Sequence, residues 1–136
     1  MRTDRPDNII VNLTFDFSLG IIEYYENLLS INRFKLADQI FRSGTSIGAN
    51  VREAQNAETP ADFIHKMKIA AKESDETEYW LELCDRSGVY PKTTELKKDL
   101  KSITRVLDKI ISSSKKNHTF RSSSNRQIIK SSNQIT

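Results

Sequence analysis

The chain is poor in the residues that staple or punctuate a fold. Of its 136 residues only Cys84 is a cysteine, so no internal disulfide framework exists and paired-cysteine zinc patterns are excluded. Three prolines and four glycines are too few for a turn-rich sheet and favour long helices. No apolar run approaches the roughly 20 residues that a membrane span needs. The opening Met1-Arg2-Thr3-Asp4-Arg5-Pro6-Asp7 has no apolar signal core. A cytoplasmic protein without a membrane partner is expected.

What is present is charge, unevenly placed. The net charge of +3 hides a division. Residues 115–136 carry Lys115, Lys116, Arg121, Arg126 and Lys130 and no acid, for +5; the other 114 residues carry 16 bases and 18 acids, for −2. The basic character belongs to the tail. A basic tail suits a polyanion through counterion release, and a near-neutral body argues against nucleic-acid binding over the whole surface.

Four segments show the 3.6-residue apolar rhythm of helices. The first runs from about Thr14 to Ser30 with two stripes, Phe15-Leu19-Ile22-Tyr25-Leu29 and Phe17-Ile21-Tyr24-Leu28-Ile31. Two stripes imply cover on more than one side. Ile9-Ile10-Val11 reads as a short extended arm ahead of it.

The second helix spans about Arg33 to Ala57, with a core ridge of Ile40, Gly44, Ile47, Val51 and Ala54 and a polar seam of Arg42, Ser46, Asn50 and Glu53. The third opens at Thr59 as N-cap with Pro60 in the first turn, and Gly88 and Pro91 close it. Its seam, Phe63, Met67, Ala70, Ser74, Thr77, Leu81 and Cys84, has heptad-like spacing. The fourth is capped at Thr93 or Thr94 and repeats that spacing through Leu96, Leu100, Ile103, Leu107 and Ile110. Short links make neighbouring helices antiparallel. The expected fold is an all-α, up-down antiparallel four-helix bundle over residues 9–114. Residues 112–136 hold eight serines and few large apolar groups besides Ile128-Ile129. The Ser-rich basic stretch 115–136 therefore reads as a disordered tail.

None of the candidate chemistry is catalytic. The polar seam has neither a nucleophile–base pair nor a metal cluster, and it reads as a hydrogen-bonded network between helices or subunits. Gly44 and Gly48, each worth roughly 1 kcal/mol against alanine in a helix, read as points of close backbone approach. Asp62-x-x-His65 has no second copy, whereas di-metal bundles use such a motif on two helices; no cofactor or metal is expected. Glu73, Asp75, Glu76, Glu78 and Glu82 read as a solvated acidic face or intersubunit salt bridges. Cys84 reads as a small core residue, and Tyr79 and Trp80 as edge aromatics. Lys97, Lys101 and Arg105 recur every fourth residue, with Lys109, Lys115 and Lys116 continuing the basic character. They are the candidate nucleic-acid contacts.

The run Gln39-Ile40-Phe41-Arg42-Ser43-Gly44-Thr45-Ser46-Ile47-Gly48-Ala49-Asn50-Val51-Arg52-Glu53-Ala54 resembles the signature of the bacterial four-helix-bundle proteins, also called 23S rRNA intervening-sequence proteins. Ala61–Ala70 and Glu78-Tyr79-Trp80-Leu81 continue the likeness, which covers residues 9–114 and fails beyond about Lys116. The resemblance implies an up-down bundle assembled as a homopentamer, with no enzymatic activity. It makes Gly44, Ser46, Ile47, Gly48, Asn50 and Glu53 packing and assembly residues. A related protein, the accessory variability determinant of diversity-generating retroelements, implies a reverse-transcriptase-like partner and RNA or DNA as further partners. The leading expectation is a non-enzymatic oligomeric scaffold that binds nucleic acid or a nucleic-acid-processing protein. A protein–protein adaptor without nucleic acid is the second.

Overall fold

In the computed structural model the described residues are 8–134, with side chains described for 8–118. Four helices account for nearly all of them: α1 (Ile9–Ser30), α2 (Phe34–Ala54), α3 (Pro60–Ser87) and α4 (Thr94–Gln134). Each packs on its sequence neighbours and α1 closes on α4, while the backbones of the diagonal pairs stay apart. This is the square, up-down bundle that short links dictate.

Local chemistry sets the boundaries. Asn32 adopts a left-handed φ of 62° between α1 and α2, a conformation asparagine tolerates better than other non-glycine residues. The Thr59 hydroxyl accepts from the Asp62 amide at 3.0 Å, with Pro60 opening α3. Gly88, at φ 75°, ends α3 without the strain that a Cβ would bring. The turn into α4 is pinned twice. The Tyr24 hydroxyl donates to the Pro91 carbonyl at 2.8 Å, and the Thr93 hydroxyl donates to the Asp85 carboxylate at 2.6 Å.

Two boundaries differ from expectation. Ile9-Ile10-Val11 is the first turn of α1 and no extended arm; Ile10 is buried in the core, so helical spacing gives it a place that an extended arm would not. α4 runs past Ile111, where the apolar rhythm ends, to Gln134. No glycine or proline follows Pro91, and adding residues to a nucleated helix costs little compared with starting one. Ile128, Ile129, Arg121, Arg126 and Lys130 lie outside the residues whose side chains are described.

The core is the sum of one stripe per helix. From α1 it takes Phe17, Ile21, Tyr24 and Leu28, and from α2 Ile40, Ile47, Val51 and Ala54. From α3 come Met67, Ala70, Leu81 and Cys84, and from α4 Leu100, Ile103 and Leu107. Burial pushes the Tyr24 hydroxyl and the Cys84 thiol above their ordinary pKa values, so both stay protonated. Hydroxyl pairs replace apolar contacts at two levels. Thr77 and Ser43 lie 2.9 Å apart between α3 and α2, and Ser74 and Thr104 lie 2.7 Å apart between α3 and α4.

Candidate functional site

The α1/α2 edge is apolar. One of the two α1 stripes is buried, while the other reaches the core only through half-buried Tyr25 and Leu29. On the other, Leu19 is 53% exposed and Ile22 40%, and Phe41 of α2 is 38% exposed. Phe15, Ile22, Thr45, Gly48, Ala49 and Arg52 line a groove of about 290 Å3 along this edge. The Arg52 guanidinium lies 5.7 Å from the centre of the Phe15 ring, and Tyr25 packs on Phe41 with centroids 4.8 Å apart.

Gly44 and Gly48 open this edge in different ways. A Cβ on Gly44 would come 2.7 Å from Cγ1 of buried Ile21, so Gly44 sets how closely α1 and α2 approach. A Cβ on Gly48 would lie 3.2 Å from the Thr14 carbonyl oxygen, at the groove floor. Ile47 between them is fully buried.

The polar seam of α2 is not one network. Ser46 donates to the Arg42 carbonyl at 2.6 Å and Asn50 to the Ser46 carbonyl at 2.8 Å. Both therefore bond back to their own helix instead of bridging to another. Only the ends of the seam cross to α3. Arg42 pairs with Glu73 at 3.4 Å and with Glu76, and Glu53 pairs with Lys66 at 3.3 Å. Glu76 also accepts from the Trp80 indole N–H at 3.1 Å. Glu73, Glu76 and Glu82 of the acidic face are thus held by ion pairs within the chain. Tyr79 beside them is 58% exposed.

The α3/α4 edge is charged. Here the structure separates Lys97 from the rest of the basic stripe. Its ammonium bonds Asp85 at 2.6 Å and Glu82 as well, and the side chain is 30% exposed. The Asp85 and Glu82 carboxylates raise the Lys97 pKa. In return the Lys97 and Arg86 hydrogen bonds hold Glu82 below the usual carboxylate range. Burial pushes Asp85 up, but the hydrogen bonds from Lys97 and Thr93 outweigh it and hold Asp85 low as well. This pairing matches Lys97, alone of the six candidate contacts among the described residues, with carboxylates of α3. The periodicity of α4 does not reveal it, because it depends on where Glu82 and Asp85 of α3 fall; the antiparallel register of the two helices is the signal that finds it.

Lys101, Arg105, Lys109, Lys115 and Lys116 are all exposed. Among the described residues none of the five is in a salt bridge. Residues 100–118 of α4 contain one acid, Asp108. Lys101, Arg105 and Asp108 join Glu78, Glu82 and Lys97 around a groove of about 530 Å3 between α3 and α4. Among the described residues no three His, Cys, Asp or Glu side chains are grouped to hold a metal ion. Among the same residues no helix is long and apolar enough to cross a membrane.

A search of curated proteins finds no match. Among solved structures, a protein of unknown function from the S23 ribosomal protein family of Bacteroides thetaiotaomicron is similar. It is 40% identical, with a TM-score of 0.73, over 76% of this chain and 98% of that one. Residues 6–113 match the family described as 23S rRNA-intervening sequence protein, and the chain belongs to that family.

Proposed function

We propose that the protein is a non-enzymatic, self-assembling cytoplasmic scaffold that holds a nucleic-acid backbone on the outer face of α4. The observation that carries this reading is the set of exposed cations Lys101, Arg105, Lys109, Lys115 and Lys116, none of them in a salt bridge among the described residues. Contacts of this kind give affinity without sequence readout, because phosphate contacts position and base contacts specify. The α1/α2 edge supports self-assembly. Leu19, Ile22 and Phe41 leave a half-exposed apolar strip that a second copy would cover, and each would gain on the order of half of the roughly 1.5–3 kcal/mol that full burial of an exposed side chain brings. The family resemblance makes a homopentamer the expected assembly, in which five copies of a weak basic face gain by multivalency. The same resemblance makes a reverse-transcriptase-like protein a candidate to share the nucleic acid.

A gel-shift assay at low salt with RNA and with DNA tests the binding. Retardation is expected, and it should fall when Lys101, Arg105 and Lys109 are changed to glutamine. No retardation of either nucleic acid overturns the reading. Light scattering tests the assembly, and a mass at the monomer's 15.6 kDa overturns it. Exposed Tyr79 and Leu83 on α3 favour a second reading, a protein-binding adaptor. Recovery of one protein partner after nuclease treatment, with no gel shift, is the outcome it expects.

A further inference from the structure

We infer that the end of α4 is a DNA-binding arm, a projecting helix that enters the major groove of double-stranded DNA while the bundle holds the flanking phosphates. The inference rests on the nucleic-acid reading above and names the class of nucleic acid. The arm is extra to the shared fold, because the family match ends at residue 113 and α4 runs on to Gln134.

The register of the helices shows that α4 outruns its neighbours. Gly20 of α1 lies against Leu96. Ser74 of α3 pairs with Thr104, and Pro60 and Phe63 meet Ser114, Asn117 and His118 across a cleft. α4 is antiparallel to both, so a step toward their N-termini is a step forward along α4. α3 starts at Pro60 and therefore gives out about level with His118; α1, which starts at Ile9, gives out sooner. α2 ends at Ala54 and joins the start of α3 through residues 55–59. Residues 119–134 continue as helix past all three, for about 24 Å at about 1.5 Å per residue. Among the described residues no second helix reaches that level to thicken the arm.

Helical spacing carries one line of charge from the bundle onto the arm. Lys101, Arg105, Lys109, Lys115 and Lys116 are exposed. At 3.6 residues per turn they share an arc of about 120° with the positions of Arg126 and Lys130, across the helix from the Leu100-Ile103-Leu107 stripe. Asp108 is the one acid on that arc, and residues 109–134 contain none. Between its cations the arm is mostly Ser, Asn and Gln. Hydroxyls suit phosphate oxygens, whereas Arg suits guanine edges and Asn or Gln adenine edges. Size then chooses the nucleic acid. A helix with its side chains is about 10–12 Å across, and the B-DNA major groove, about 12 Å wide, admits it. The deep, narrow major groove of duplex RNA does not. Single strands are held by stacking on aromatic rings, and Phe120 is the one aromatic residue of the arm.

The test uses the full chain and three fluorescein-labelled probes of one sequence: a DNA duplex, the matching RNA duplex and the DNA single strand. Binding is read by fluorescence anisotropy over a salt series. The wild type is expected to hold the DNA duplex at least about tenfold more tightly than either other probe. Ser123→Pro keeps every charge but breaks the helix of the arm, so it should lose that preference. Its thermal midpoint should be unchanged, since the arm lies beyond the core, and that serves as the folding control. Arg121→Gln/Arg126→Gln/Lys130→Gln should weaken binding to the DNA duplex and lower its salt slope by up to about 2.7, the share of three phosphate contacts. Netropsin, which fills the minor groove, should leave the wild type bound. Three results overturn the arm and leave the α4 reading standing: full DNA-duplex affinity in Ser123→Pro, equal binding of the three probes by the wild type, or displacement by netropsin. If the wild type binds none of the probes, the α4 reading fails and the arm falls with it.

Discussion

The α1/α2 and α3/α4 edges join equivalent pairs of antiparallel helices, yet they are finished in opposite ways. Along α1/α2 the residues left outside the core are Phe15, Leu19, Ile22 and Phe41, with Arg52 over Phe15. Along α3/α4 they are Glu78, Glu82, Lys97, Lys101 and Arg105. The core stripes are alike in kind, so the fold does not dictate the difference. An apolar strip gains by being covered, whereas a line of cations gains by meeting anions. One chain thus carries an apolar strip and a charged strip on opposite sides of the square, the two surfaces that the proposed self-assembly and polyanion contact would use.

The largest expected effect comes from breaking the first edge. Leu19→Glu with Ile22→Glu places two charges on the exposed strip of α1. In the single chain both positions are about half exposed, so folding stability should fall by only about 1 kcal/mol. Assembly should collapse, and light scattering should read a monomer. Retention of the assembled mass would show that the α1/α2 edge is not where copies meet.

Next in size is the glycine pair that shapes the same edge. Gly44→Ala gains about 1 kcal/mol of helix propensity, but its Cβ would meet Ile21 at 2.7 Å inside the core. Overpacking of this sort costs about 1–3 kcal/mol, so the net result should be a loss, seen as a lower urea midpoint at unchanged slope. Gly48→Ala is milder, with its Cβ 3.2 Å from the Thr14 carbonyl. It should leave folding near neutral and act instead on assembly, since it raises the groove floor. Thr77→Val, on the neighbouring α2/α3 edge, should cost about 1 kcal/mol by leaving the buried Ser43 hydroxyl without its partner. Equal effects of the two glycine changes on the urea midpoint would erase the distinction between core and groove.

The bundle was legible because apolar spacing is a one-dimensional record of which face is buried. Met67, Ala70, Ser74, Thr77, Leu81 and Cys84 all line the core as their spacing requires. The two stripes of α1 were legible too, but not that the second is divided: Leu19 and Ile22 are exposed while Tyr25 and Leu29 pack on the core. The polar seam was less so. Ser46 and Asn50 have the spacing of a network, but spacing cannot tell a side chain that reaches across from one that bonds its own preceding turn. The basic residues were least legible. Lys97 and Lys101 are equivalent along α4, and only the register with α3 makes the first an ion-pair partner and the second a free cation. Lys68 looks like an ordinary surface lysine, yet the Lys115 and Lys72 charges hold its pKa below the usual lysine value.

The smallest effect sharpens the contrast between the two ends of the α3/α4 edge. Glu82 and Asp85 have folded pKa values held below their ordinary ones. Their stabilisation is therefore complete above the unfolded carboxylate range of about 3.9–4.3, and it is lost as pH falls through the lowered values. Lys97 is raised, so its share is complete below the ordinary lysine value and is lost as pH rises through the raised one. The pair thus stabilises a broad middle range of pH and fades at both extremes. Lys97→Met should lower the thermal midpoint slightly at neutral pH, the change being small because the side chains of Lys97, Glu82 and Asp85 are 30%, 42% and 34% exposed and water screens them. In acid, once both carboxyls are protonated, the wild-type and variant curves should converge. A gap between the curves that stays constant from neutral pH into acid would assign Lys97 to packing by its aliphatic stem. The opposite end should answer with the opposite sign: Lys68→Gln should raise the midpoint at low salt, and the gain should shrink as salt screens the Lys68–Lys115 repulsion.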